Sequence, residues 1–139
     1  MGTGTTVRLK NHISELEYLY QALVQFGQKH DISPKILDEM NLALEEIITN
    51  IISYAFSTEA EHTIILRLSK EDQQLIAEVE DDGKPFNPLD APDPDIGLPI
   101  EDRPIGGLGI LLTKNMVDHI DYSQRNGKNL LRLRKVISE

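Results

Sequence analysis

The chain predicts an α+β fold: a two-layer α/β sandwich with helices on one face of a mostly antiparallel sheet. Three observations predict it. Apolar residues recur at helical spacing between Leu16 and Phe56, in two blocks broken at Asp31-Ile32-Ser33-Pro34. From His62 the period drops to two, as in a strand that buries one face. Near the end, two further strand-like runs flank Asn126-Gly127, a strong hairpin signal.

Taken in order, Thr5 to Lys10 is the opening strand. Ser14-Glu15-Leu16-Glu17 fits a capping box, and Leu16, Leu19, Tyr20, Leu23 and Phe26 carry the first helix to about His30. Ser33 as N-cap and Pro34 at the first helical position start the second helix. Ile36, Leu37 and Met40 lead it into Asn41–Phe56. There Leu44, Ile47, Ile48, Ile51, Ile52 and Ala55 share one broad face, at about 100° per residue. Ile64, Leu66 and Leu68 mark the next strand, Glu71-Asp72-Gln73 a turn, and Leu75–Asp81 the antiparallel neighbour. A short helix is expected over Ile110–Asp118, then a hairpin of Ile120–Gln124 and Leu130–Ile137. The order is strand, two helices, hairpin, loop, helix, hairpin. No repeat, low-complexity tract or linker interrupts it, so residues 1–139 read as one domain.

The totals narrow the function classes. The 139 residues are enough to bury a core, and the 40% hydrophobic share suits a soluble protein. No apolar run approaches a bilayer-spanning length, and the N-terminus lacks the apolar stretch of a signal peptide. Without cysteine there is neither disulfide nor thiolate metal site. These features favour the cytoplasm. The net charge of −9 and the scatter of the basic residues argue against a phosphate-backbone partner. The one basic run, Arg132-Leu133-Arg134-Lys135, alternates like a strand face. His12, His30, His62 and His119 are dispersed without metal-ligand spacing.

Three stretches carry chemistry. Glu46 and Asn50 lie one helical turn apart opposite the apolar face, with Thr49 and Ser53 beside them. A carboxylate there can take a proton, and an amide oxygen can hold a hard metal ion. Alone, such a face is ordinarily a solvated one. Val79-Glu80-Asp81-Asp82-Gly83-Lys84-Pro85-Phe86 ends a buried strand in acids and a turn. Asp81 can accept from an exocyclic amine, and Gly83 lets the backbone approach a flat ring. Ile105-Gly106-Gly107-Leu108-Gly109-Ile110 opens a helix, an arrangement whose N–H groups and dipole suit phosphate. No Gly-Lys-Ser/Thr follows and no strand precedes it, so it is neither a Walker loop nor a dinucleotide fingerprint. Between the last two stretches, Asp82–Pro104 holds six of the seven prolines, a length and composition that suit a lid.

In this order the stretches resemble a known family, the GHKL or Bergerat ATP-binding fold of gyrase, the ninety-kilodalton chaperone, histidine kinases and the mismatch-repair protein MutL. Glu46-x-x-x-Asn50 is similar to its N box, Val79 to Phe86 to its first glycine box and Gly106 to Ile110 to its second. Leu-Ala-Leu-Glu-Glu before Asn50, Tyr54-Ala55, Pro85-Phe86-x-Pro88 and Val117-Asp118 look most like the bacterial anti-sigma-factor serine kinases. The resemblance implies ATP and Mg²⁺ as cofactors. It implies that Asn50 holds Mg²⁺, that Glu46 is the general base, that Asp81 reads the adenine amine and that Gly83 lines the ring. The backbone of Gly106, Gly107, Leu108 and Gly109 would cradle phosphates under a lid of residues 82–104. The implied activity is protein serine/threonine phosphorylation of an anti-anti-sigma (STAS-type) antagonist by a chain that also binds a sigma factor. By analogy the first helix and the loop after the opening strand form a homodimer or partner face.

Two departures mark this chain. Ile105 stands where the kinases carry an arginine just before the second glycine box, and Arg103, two positions upstream, is the nearest substitute for touching the terminal phosphate. Lys128 and Asn129 follow Gly127, where a threonine near the adenine is common. The departures keep open two alternatives: a non-catalytic nucleotide-binding module that sequesters a partner, and a detached sensor-kinase-like ATPase domain. Tyr54, one turn after Asn50, is expected to pack rather than react.

Overall fold

The computed structural model describes residues 4–56, 60–87 and 113–137. Among these, five strands form one antiparallel sheet in the order β1-β2-β3-β5-β4. The elements are β1 (Thr5–Lys10), α1 (Leu16–His30), α2 (Pro34–Tyr54), β2 (Thr63–Glu71), β3 (Gln74–Asp81), β4 (His119–Arg125) and β5 (Lys128–Val136). A helical turn at 113–116, here α3, precedes β4. This is the α+β arrangement expected from the sequence, and most boundaries fall within a residue or two of the periodicity.

Local chemistry accounts for most of the boundaries. Ser33 is extended, its Oγ accepts from the Ile36 N–H at 3.5 Å, and Pro34 follows at the first helical position. Asp31 ends α1 in the left-handed region at φ 55°. Asn126 and Gly127 have φ of 53° and 76°, the paired positive values that a tight two-residue hairpin requires. The capping box at Ser14 does not form. Ile13–Glu15 is a 3-10 turn, and the residue before α1 makes no side-chain cap. Glu15 instead turns its Oε1 back to the Lys10 N–H at 2.9 Å, tying the helix entry to the end of β1.

Strand register decides which side chains face the helices. Leu9 pairs with Ile64, Leu66 with Val79, Val79 with Leu131 and Ala77 with Leu133, and all of these are core residues. They pack against Leu19, Leu23 and Phe26 of α1 and Met40, Leu44, Ile47, Ile48 and Ile51 of α2. The opposite face carries charge: Arg67 bonds Glu80 at 3.3 Å, Lys128 approaches Glu80 at 3.6 Å, and Arg132 approaches Glu78 at 3.7 Å. The Arg-Leu-Arg-Lys run therefore splits, with Arg132 and Arg134 on the charged face and Leu133 and Lys135 buried.

Candidate functional site

Helix α2 sets one wall of the site. From Ala43 to Ile52 no residue is exposed, while Ser53 is, so the Glu46–Asn50 part of the polar face read from the sequence is not a solvated one. Asn50 is 0% exposed. Both its amide atoms, and Oε1 of half-buried Glu46, are enclosed without a hydrogen-bond partner among the described residues. A buried polar atom left unpaired costs about 1–3 kcal/mol, and here three crowd one helical turn. Burial also holds the Glu46 carboxyl above its ordinary value of 4.5. Beside them opens a cleft of about 290 Å³ lined by Leu16, Leu42, Ala43, Glu45, Glu46, Thr49, Thr113 and Met116.

The other wall is where β3 ends. Asp81 is 3% exposed, and its Oδ1 accepts from the Gly83 N–H at 2.9 Å and from Asn129 Nδ2 at 3.0 Å. Burial raises its carboxyl above 3.8; these two bonds pull the other way, and the neighbouring charges of Asp82 and Glu80 push up again. Gly83 lies against the C-terminal end of α2. A Cβ there would sit 2.5 Å from the Ala55 carbonyl oxygen, and the Lys84 N–H donates to that same oxygen at 2.8 Å. The close approach that requires glycine here is thus to the helix. Just beyond, Phe86 packs on Tyr54 with ring centroids 5.6 Å apart, so Tyr54 packs as expected.

The fold therefore seats Asp81 and Gly83 at the end of the helix that carries Glu46 and Asn50. Glu46 precedes Ala55 by nine residues, about 14 Å along the axis. Arg103, Ile105, Gly106, Gly107, Leu108 and Gly109, and all of the lid beyond residue 87, lie outside the described residues. Two residues make buried contacts that the sequence reading did not assign to them. Asn129, buried in β5, joins Asp81 to the turn after it. Lys135, also buried, donates to Glu39 Oε2 at 3.2 Å and to the Met116 carbonyl, linking α2 to the end of α3. A polar residue at an inward strand position was the available signal for both.

Helices on one face of a five-stranded antiparallel sheet in this order make a fold of the GHKL class. The chain belongs to the histidine kinase-like ATPase domain family, which matches residues 9–135. Its relatives include the serine/threonine-protein kinase BtrW of Bordetella bronchiseptica, 27% identical over 73% of this chain and 71% of that protein. The serine-protein kinase RsbW of Bacillus cereus is 29% identical over 68% of this chain and 61% of its own length. RsbW of Listeria monocytogenes is 26% identical over 85% and 77%. Among solved structures, the RsbU and RsbW domains of Rv1364c from Mycobacterium tuberculosis superimpose with a TM-score of 0.67 at 12% identity, covering 96% of this chain and 32% of that one. The histidine kinase AdeS of Acinetobacter baumannii gives 0.52 at 12% identity, covering 97% and 68%. At that identity the likeness is one of fold.

Proposed function

We propose that the chain is an anti-sigma factor with ATP- and Mg²⁺-dependent protein serine/threonine kinase activity on an anti-anti-sigma antagonist of STAS type. The observation that carries the reading is the turn from Glu46 to Asn50, where buried polar atoms lack partners among the described residues. Kinases among the relatives support the reaction class.

The residues fit the implied cofactors. Asn50 offers an enclosed amide oxygen suited to Mg²⁺. Asp81 offers an acceptor to a purine amine at the far end of the same helix. Mg²⁺ held by Asn50 would supply charge neutralisation on the phosphates. Glu46 then takes the proton of the incoming serine or threonine hydroxyl, and its raised carboxyl makes it a stronger base than an exposed glutamate.

Glu46→Ala should lower phosphoryl transfer to the antagonist by about 10²–10⁴-fold with ATP affinity largely kept; robust transfer by this variant would sink the base assignment. Asn50→Ala should weaken nucleotide binding only when Mg²⁺ is present. Ile105, in place of the kinases' arginine, favours a second reading: a nucleotide-holding module that sequesters its partner without catalysis. Labelled ATP incubated with the antagonist separates the two, since only the kinase yields phosphoserine or phosphothreonine.

A further inference from the structure

Asn129 stands at an inward position of β5, directly across the ladder from Asp81. Its amide is engaged on both sides. Nδ2 donates to Asp81 Oδ1 at 3.0 Å, to the Lys84 carbonyl at 2.9 Å and more distantly to the Gly83 carbonyl at 3.4 Å. Oδ1 accepts from the Phe86 N–H at 3.3 Å and from the Tyr122 hydroxyl. One side chain thus fixes the aspartate and the turn that follows it. The Gly83 N–H adds a second donor to the same aspartate oxygen at 2.9 Å. Oδ1 is then saturated, while Oδ2 takes no hydrogen bond among the described residues.

Two N–H donors on Oδ1 favour the carboxylate, which can only accept. An acceptor at Oδ2 suits the 6-amino group of a purine and repels a 6-carbonyl oxygen. With the Asn129 donor gone and only the Gly83 N–H left, a buried carboxyl is freer to take a proton, turn donor and pair with the carbonyl instead. Burial presses Asp81 toward that protonated state, and so do the charges of Asp82 and Glu80. Asn129 is the side chain that opposes them.

We infer that Asn129 is a specificity-determining positioning residue, which holds Asp81 as an acceptor so that the site takes adenine and rejects 6-oxopurines. The inference rests on the nucleotide-site reading above and deepens it. A threonine at this place could give one donor; the asparagine here also grips the Gly83–Phe86 turn.

The test compares ADP with inosine diphosphate, which replaces the 6-amino group by a carbonyl, by titration calorimetry on the full chain. The unaltered protein should prefer ADP by about 10–100-fold, the worth of one hydrogen bond to a charged group. Asn129→Leu should collapse that ratio to within about threefold. Tyr122→Phe, which removes a donor to Asn129 but no contact to Asp81, should reduce the ratio less and serves if Asn129→Leu does not fold. Equal weakening of both nucleotides, with the ratio kept in the folded variants, would overturn the inference and leave Asn129 a purely structural residue. Failure of the unaltered protein to bind either nucleotide would overturn the site reading itself, and this inference with it.

Discussion

At the scale of single residues, the groups proposed for chemistry are those the fold holds at a cost. Glu46 is more acid-retaining in the folded chain than in the unfolded one, because burial disfavours its charge. The folded state then binds more protons, so stability falls as pH rises from about 4.5 through the raised folded value, and the loss persists above it. Glu46→Gln should therefore stabilise the protein at neutral pH, with the gain vanishing at about pH 4. Urea denaturation at the two pH values measures this; an equal gap at both would show that the proton on Glu46 is not involved. Gly83 poses a steric case. A methyl there meets the Ala55 carbonyl oxygen at 2.5 Å and the Ala55 Cβ at 2.8 Å, and neither belongs to a flexible side chain. Gly83→Ala should cost about 1–3 kcal/mol and loosen the grip of β3 on α2, seen as a lower denaturation midpoint and weaker ADP binding.

At the scale of elements, α2 behaves as a helix buried on two sides. Its apolar face fills the core, while Ala43, Glu46 and Thr49 line the cleft that it shares with α3. Lys135 sets the spacing of that cleft, since its ammonium bridges Glu39 of α2 and the carbonyl that ends α3. Removing one partner of an enclosed ion pair strands the other, at about 3–5 kcal/mol when fully buried. The Glu39 side chain keeps 26% of its exposure, so Lys135→Met should cost less, about 2 kcal/mol. Thermal denaturation gives the cost, and slower transfer at unchanged ADP affinity would place the effect on the cleft. Gly27 marks another close contact: a Cβ there would meet Leu37 Cδ1 at 2.1 Å, so α1 and the start of α2 touch through a residue without a side chain.

At the scale of the whole molecule, one sheet face carries the core and the other carries ion pairs. Those pairs keep substantial exposure, with Arg67 and Lys128 at 40% and 53%, so each is worth little to stability. Stability should respond far more to nucleotide than to salt. At a concentration 100 times the dissociation constant, a ligand of the folded state adds about 2.7 kcal/mol. For a chain of this length that is a rise of roughly 5–10 °C in Tm. Mg²⁺ should enlarge the rise with ATP, and Asn50→Ala should remove the Mg²⁺ increment alone. A flat Tm across nucleotide concentrations would count against the proposed function as a whole.

The sequence by itself determined the elements and the family. Both are local properties: burial of one face imposes a period of 3.6 or 2, and the Glu46–Asn50 and Asp81–Gly83 motifs each fit within a few residues. The hairpin at Asn126-Gly127 was legible for the same reason, since its positive φ values select those residues. The capping box was misread because Ser14 and Glu17 match a pattern that competes with the pull of the Lys10 N–H on Glu15. Only the tertiary structure decided what polar atoms meet. Asn129 reaches Asp81 across 48 positions, and Lys135 reaches Glu39 across 96. Nothing local encodes those meetings; they follow from strand register and from the way α2 lies on the sheet. Asn50, which a helical wheel places on an ordinary polar face, is likewise enclosed only in the folded chain. Apolar burial is written residue by residue because hydrophobicity is non-directional. A hydrogen bond needs a partner at a fixed distance and angle, and only the folded chain supplies one.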